Sequence, residues 1–507
     1  MIDWSDTTFE VRVGPPGHGG FCVARHEGRV VFVRHALPGE LVRVRVTEDR
    51  GGSFCRADAI DVLESAPDRV PATCPVSGPG GAGCCDFSHA TPEAQRALKA
   101  SVVAEQLRRL AGIEREVPVE SVPDGESGWR TRVRLVVDAE GRAGVHRYRS
   151  TEVIADLRCP QPVWGALDGI GDRLWTPGAD LVVAVDGDGV RHIVELAPAE
   201  VEDAGGRRNR RDRPDNARGR DARPFAGKRG RDGDSHGARR PDPESEKSRG
   251  NRRGADGSET GESSVRGRRD RRGRHDISRA EGFGNGWDAG DSGRPGERRD
   301  AAARRAAIHA PREEWVVSGT GRAVEYVAGR RWEVAATGFW QAHRGAAQCY
   351  SDIVAAWADL RPGDVAWDLY SGAGVFAARL AEQVGPTGAV RAVESARPAV
   401  ADGHAALRDL PWLDLRAQRV ERWIGEQSGP APRVVVLDPP RAGAGKEVIA
   451  AVTAADPDRI IHIGCDPAAF ARDLSLYQAS GYRLSELRAF DAFPATHHVE
   501  CLALLER

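Results

Sequence analysis

Gly464-Cys465-Asp466-Pro467 directly follows an apolar run, 459–463, that reads as a buried strand. The cysteine therefore stands at a strand end, where the sheet of an α/β domain presents reactive groups. A thiolate there could attack a substrate. Further on, Phe493-Pro-Ala-Thr-His-His-Val-Glu500 offers a carboxylate suited to act as a base. A lone buried cysteine is more often a small core residue. The Asp-Pro after this one and the carboxylate downstream favour the chemical role. Such a thiol needs a lowered pKa or help with deprotonation, and Asp466 beside it is expected to raise the pKa.

A second constellation could hold a nucleotide-like cofactor. Asp368-Leu-Tyr-Ser-Gly-Ala-Gly374 lies between a strand and a helix expected at 375–384. Gly372 and Gly374 let the backbone approach a ligand closely. Glu394 ends the next strand and can accept hydrogen bonds from two ribose hydroxyls. The dinucleotide pattern Gly-x-Gly-x-x-Gly fails at Ala377, so S-adenosylmethionine fits better than a nicotinamide. Another nucleotide, or a plain tight turn, remains the alternative. Asp438-Pro-Pro-Arg441 follows the fourth strand of the same region. Enzymes that methylate exocyclic amines usually place an aromatic residue at the fourth position, so Arg441 argues against that chemistry.

These residues must be positioned by more than one core, since 507 residues imply two to four domains. Residues 1–65 alternate apolar and charged positions over the short runs 8–13, 28–33, 40–46 and 55–60, the pattern of a small antiparallel barrel. The stretch Gly14-Pro-Pro-Gly-His-Gly-Gly20 is expected to lack regular structure. A helix is expected over 92–110, with Thr91 as N-cap, Pro92 in its first turn, Leu98, Val102, Leu107 and Leu110 on its apolar face, and Gly112 past its end. Strands at 130–137 and 181–185 open a small α+β middle domain, 66–200. It continues at 313–337, where 314–317 and 332–335 read as strands. From 338 to 507, apolar runs at 366–370, 389–393, 433–437 and 459–463 alternate with helical segments. That order implies a doubly wound parallel sheet.

Between the two parts of the middle domain, 201–312 is rich in Arg, Gly, Asp and Ser and is expected to be disordered. From 204 to 312 it holds about 30 Lys and Arg against about 18 Asp and Glu, although the whole chain has a net charge of only −2. Its Arg-Gly and Arg-Arg clusters could bind RNA phosphates; a solvated linker is the equal alternative. No run of roughly 18 apolar residues occurs, and Met1-Ile-Asp-Trp4 lacks the basic and apolar regions of a signal peptide. A cytoplasmic monomer with no membrane partner is expected. Nine cysteines, an odd number, suggest thiols or metal ligands rather than disulfides.

Gly338-Phe-Trp-Gln341, the 368–374 loop, Asp438-Pro-Pro-Arg-Ala-Gly443, Gly464-Cys-Asp-Pro467 with Arg472-Asp-Leu474, and the 493–500 stretch together resemble the RNA (uracil-5)-methyltransferase family. The resemblance covers the chain except the basic insertion, and it extends to 1–65, which looks like the OB-like TRAM domain. It implies that Gln341, Tyr370, Glu394 and Asp438 contact S-adenosylmethionine, that Cys465 is the nucleophile and that Glu500 is the base. Asp466, Ser371 and Val375 stand where the family often has Asn, Cys and Asn. Some members bind a [4Fe-4S] cluster through a cysteine, a Cys-Gly-Gly-Cys motif and a later cysteine. Here Ala82-Gly83-Cys84-Cys85 fills the motif, which would leave Cys74, Cys84, Cys85 and Cys159 as ligands. Neighbouring cysteine side chains diverge, so four ordinary thiols are the alternative, and no metal is expected.

Carbon 5 of uracil is a weak nucleophile. Thiolate addition to carbon 6 makes an enolate that concentrates charge on carbon 5, and a base must later remove the carbon 5 proton. The target base must be single-stranded or flipped out of its stack. The expected function is therefore methylation of uridine at carbon 5 in rRNA or tRNA. RNA cytosine-5 methylation shares the thiolate addition, but its enzymes usually carry Pro-Cys after the fourth strand. A non-catalytic RNA-binding protein that keeps the fold is the alternative from another class.

Overall fold

Alternating apolar and charged residues build the N-terminal sheet from β1 (Thr8–Arg12), β2 (Pro16–Gly17), β3 (Phe21–His26), β4 (Arg29–Arg34), β5 (Leu41–Asp49) and β6 (Phe54–Glu64), in the order β1-β5-β6-β4-β3-β2. In β5, Val42, Val44 and Val46 turn inward while Arg43 and Arg45 stay exposed. The structure, a computed structural model, describes residues 3–199 and 312–507. The Arg- and Gly-rich insertion of 201–312 lies, apart from Arg312, outside the described residues.

The glycine-rich stretch 14–20 departs from expectation. Pro16 pairs with Cys22 and Gly17 with Phe21, so the segment is a tight hairpin with His18-Gly19-Gly20 at its turn. Gly19 and Gly20 supply the φ values of 104° and 83° that the turn requires. Pro16 is tolerated because β2 lies at the sheet edge.

Thr91 caps α1 (Pro92–Gln106) as expected, its hydroxyl accepting the Ala94 N–H at 3.3 Å. The final turn, Leu107–Ala111, widens into π-helical geometry before Gly112 closes it at φ 65°. β7 (Val119–Ser121) then joins the C-terminal sheet described below. The middle sheet comprises β8 (Arg132–Val137), β9 (Ala143–His146), β10 (Val153–Ile154), β11 (Asp180–Val185), β12 (Arg191–Leu196) and β13 (Glu314–Ser318), ordered β10-β9-β8-β11-β12-β13. β12 and β13 flank the insertion and pair antiparallel; beyond them the Ala197 N–H donates to the Glu313 carbonyl at 2.9 Å. The insertion thus hangs from a closed hairpin. A second hairpin, β14 (Arg322–Val327) and β15 (Arg330–Ala335), leads to α2 (Ala346–Ala358).

The C-terminal sheet contains β16 (Val365–Leu369), β17 (Ala389–Glu394), β18 (Leu413–Ala417), β19 (Val434–Leu437), β20 (Arg459–Gly464), β21 (Arg483–Asp491) and β22 (Glu500–Glu506), ordered β18-β17-β16-β19-β20-β22-β21-β7. Helices α3 (Val375–Val384), α4 (Arg397–Ala406), α5 (Val420–Gly425), α6 (Gly445–Ala454) and α7 (Pro467–Ala479) connect its strands. β16 to β20 run parallel, as the alternating pattern implies. The far side does not: β22 is antiparallel to both β20 and β21. Only the short segment 492–499 joins β21 to β22, enough for a hairpin and too little for a parallel crossover. Alternate residues feed two apolar layers, Val434 and Val436 on one face and Val435 and Leu437 on the other. Among the described residues no helix is long and apolar enough to cross a membrane.

Candidate active site

β17 lies on one side of β16 and β19 on the other, so the strand ends of β16 and β19 open into the crevice where such sheets bind ligands. Asp368, near the end of β16, is fully buried, and its Oδ2 accepts the Ala377 N–H at 2.8 Å in the first turn of α3. Its Oδ1 has no partner. Burial, reinforced by Asp438 and Glu394, holds its pKa well above the usual range despite that bond. Tyr370 follows at φ 62°, then Ser371, whose buried hydroxyl is also unpartnered. Gly372 donates its N–H to Glu394 Oε2 at 3.2 Å, and nothing stands within 4 Å of where a Cβ would project. Gly374 is different: a Cβ there would meet Leu407 Cδ1 at 2.7 Å. The carbonyl of Ala373 accepts the Trp332 indole N–H at 3.1 Å. Trp340, beside Gln341, lies 6.1 Å from the Trp332 ring, which brings the Gln341 segment toward this loop. Unpartnered polar atoms, open space over Gly372 and several carboxylates fit a hydroxylated, cationic ligand such as S-adenosylmethionine.

Cys465 follows β20, and Glu500 opens β22. Because Gly464 pairs with Cys501, the two side chains flank one end of neighbouring strands. Glu500 is buried, and burial with Asp438 nearby pushes its pKa well up, opposed by Arg441. Asp438 is half-buried by surface, yet its enclosed surroundings push it up to about 7. The Cys465 thiol is pushed up to about 12, first by burial and next by Glu500, with Arg441 opposing and Asp438 and Asp466 adding. A thiol activated in advance is therefore not what the fold provides. Asp466 raises the thiol, as expected, but contributes the least of these groups. Its Oδ1 caps α7 by accepting the Ala468 and Ala469 N–H groups at 3.1 and 2.8 Å, and its Oδ2 faces His18 Nε2 at 3.0 Å.

The segment carrying Glu500 is pinned from three sides. Gln95 Oε1 of α1 accepts the Ala495 N–H at 2.7 Å, and Ala495 returns its carbonyl to the Phe87 N–H at 2.9 Å. Lys99, fully buried, pairs with Asp491 and donates to the Phe493 carbonyl at 3.1 Å. Asp86 bridges Arg34 of β4 and His497, at 2.8 and 2.6 Å. His498 accepts an Arg441 N–H at 3.1 Å; burial above all, with nearby cations, keeps its pKa well below the usual value.

Residues 431–507 match the family model described as tRNA (uracil-5-)-methyltransferase, and residues 7–59 match the TRAM domain. A Streptomyces avermitilis protein described as an RNA methyltransferase is 37% identical over 513 residues, spanning 98% of each chain. The chain belongs to the RNA (uracil-5-)-methyltransferase family. It is, accordingly, an S-adenosylmethionine-dependent RNA methyltransferase. An Alkalilimnicola ehrlichii protein named 23S rRNA (uracil(1939)-C(5))-methyltransferase is 28% identical across 98% of this chain and 96% of its own. Pyrococcus abyssi tRNA (uracil-54, C5)-methyltransferase, solved with S-adenosyl-L-homocysteine, shares the fold with a TM-score of 0.59 at 17% identity, over 98% of this chain and 100% of that one.

The thiols that the family resemblance offered as cluster ligands do converge in this methyltransferase. Cys74 and Cys84 both hydrogen-bond to Cys85, and Gln161 Nε2 donates to the Cys85 sulfur at 3.1 Å. The bond with Cys85 lowers Cys74 to about 7 and raises Cys85 in turn; burial lifts Cys159 to about 11. Cys84 is exposed and Cys85 buried. Among the described residues no group of three or more His, Cys, Asp or Glu is arranged to hold a metal ion.

Sequence reasoning left out Arg441 as a charge partner of Cys465 and Glu500, and it left out His18, Asp86, Gln95 and Lys99 altogether. The four lie some 400 residues from the groups they touch. Only Lys99, between Leu98 and Val102 on the helix's inward face, could have signalled a fixed acidic partner.

Proposed function

We propose that this enzyme methylates carbon 5 of a uridine in ribosomal or transfer RNA, with Cys465 as nucleophile and Glu500 as base. The observation that carries the reading is the β20–β22 register, which sets a thiol against a buried carboxylate beside Asp438 and Arg441. Asp438, a neighbouring carboxylate whose pKa lies at about 7, takes the Cys465 thiol proton so that Glu500 stays free; the sulfur bonds to carbon 6, and the carbon 5–carbon 6 electron pair moves onto the carbonyl as an enolate. Arg441 favours both the thiolate and the ionised Glu500. S-adenosylmethionine, held by Gln341, Tyr370, Gly372, Gly374, Glu394 and Asp438, supplies the electrophilic methyl group when bound. Glu500 then takes the carbon 5 proton, the double bond re-forms, and the departing thiolate regains its proton from Asp438. The raised pKa of Glu500 makes its carboxylate a stronger base for that step.

In this reading residues 1–65 form an OB-like RNA-binding barrel, 66–200 with 313–337 a middle domain, and 338–507 the methyltransferase domain. The enzyme works as a cytoplasmic monomer on single-stranded or flipped-out uridine. RNA containing 5-fluorouridine tests the mechanism, because fluorine leaves no carbon 5 proton for Glu500 to remove. With cofactor present, wild type should be trapped on that RNA through the 460–472 tryptic peptide, and Cys465→Ala should not. A trap at another residue would reject the nucleophile assignment. Trapping on 5-fluorocytidine RNA instead would favour cytosine-5 methylation, and none on either would favour a non-catalytic RNA-binding protein.

A further inference from the structure

One hairpin of the N-terminal sheet touches both segments that carry the proposed chemistry. Its turn places His18 Nε2 3.0 Å from Asp466 Oδ2, on the residue directly after Cys465. Two residues on, Gly20 comes so close to the other segment that a Cβ would stand 2.8 Å from Asp86 Cγ and 3.0 Å from His497 Nδ1. Glycine is required there twice over, by the approach and by its φ of 83°. Phe21 packs beneath the turn and against Phe32 of β4, with ring centroids 4.8 Å apart, which fixes the hairpin to its own sheet. The His18 and Asp466 side chains keep only 19% and 17% of their surface exposed, so the contact is not a loose surface pair.

We infer that His18 is a positioning residue for methyl transfer: from the N-terminal hairpin it holds the Asp466 carboxylate, and through it the turn that presents Cys465. The inference rests on Cys465 being the nucleophile. Charged groups face that thiol from each side, namely Glu500 of β22, Asp438 and Arg441 after β19, and the adjacent Asp466. Three of the four are acids. Asp466 in turn faces His18 and Arg472 of α7, and its other oxygen caps that helix. Removing His18 frees the Asp466 Oδ2 and leaves its charge to bear on the thiolate that the reaction must form. The N-terminal sheet is thus part of the reacting centre as well as an RNA-binding surface.

The test compares wild type, Cys465→Ala, His18→Ala, His18→Gln, Asp466→Asn and His18→Ala/Asp466→Asn for kcat, KM for RNA and the pH profile. His18→Ala should lower kcat about tenfold, the effect of a rise of about one unit in the thiol pKa, and shift the rising limb of the profile upward by about one pH unit. KM should change far less. His18→Gln keeps a donor for Asp466 and should recover most of the rate. Asp466→Asn keeps a helix cap without the charge and should rescue the His18→Ala enzyme. An unchanged kcat, or a loss confined to KM that Asp466→Asn does not rescue, would overturn the inference and make His18 an RNA contact at most. If His18→Ala does not fold, His18→Gln with and without Asp466→Asn decides by the same criteria. A wild type that makes no 5-methyluridine, or a fully active Cys465→Ala, would overturn the underlying reading as well. A dead Cys465→Ala beside a fully active His18→Ala overturns this inference alone.

Discussion

Cys465 and Glu500 flank one end of the β20–β22 pair because Gly464 is in register with Cys501. A slip of one residue would turn Glu500 to the opposite face of the sheet. The antiparallel β21–β22 hairpin, rather than a sixth parallel strand, is what brings the two groups together from 35 positions apart in the chain.

The thiol of Cys465, pushed up to about 12, should be nearly all protonated at neutral pH. Its alkylation by iodoacetamide, followed by mass spectrometry on the 460–472 peptide, should therefore rise about tenfold per pH unit between pH 7 and pH 9. A rate that levels off by pH 8 would contradict the burial argument.

Asp438 takes the opposite sign from a salt-bridged carboxylate. Its pKa is raised in the fold from 3.8 to about 7, so the stability it contributes is fully present below pH 3.8 and is lost as pH rises through 7. Asp438→Asn should raise Tm, and by more at pH 8 than at pH 4, while methyl transfer falls. Equal Tm changes at both pH values would contradict this.

Lys99 and Asp491 form a buried pair that anchors the turn before Glu500. Lys99→Met leaves the carboxylate buried without its cation and should cost about 3–5 kcal/mol in denaturant unfolding. Adding Asp491→Asn should return part of that loss. A single variant as stable as wild type would show that the pair carries little.

The insertion leaves the fold at the β12–β13 hairpin, whose ends are already paired. Replacing 204–311 with a short Gly/Ser link keeps Arg312, which bonds to Ala197 and Asp180, and should leave Tm unchanged. The removed stretch is strongly basic, so RNA affinity should fall mainly at low salt, with a shallower dependence of log K on log salt. An unchanged slope would assign the segment to a linker role.

What could be read from the sequence was what local patterning determines. Apolar runs of strand length, the Thr91–Pro92 helix start and the Asp368–Gly374 loop all lie where their residues imply, within a residue or two at the ends except for β5 and β6, which run three and four residues further. Three things could not be read in full, two of them because they depend on distant pairing. β7 completes the C-terminal sheet from a position before the middle sheet, and nothing in Val119–Ser121 names β21 as its partner. Glycine density at 14–20 suggested irregularity, yet positive φ at Gly19 and Gly20 is what closes the β2–β3 hairpin. The charge balance around Cys465 was legible only in part. Asp466 is visible beside it in the sequence, whereas Glu500, Asp438, Arg441 and His18 arrive only with the fold.

The central claim is uridine methylation through Cys465, and nucleoside analysis of RNA incubated with protein and methyl-labelled S-adenosylmethionine tests it most directly. The account predicts label in 5-methyluridine with wild type and none with Cys465→Ala. Label in 5-methylcytidine, or 5-methyluridine formed equally well by Cys465→Ala, would contradict it.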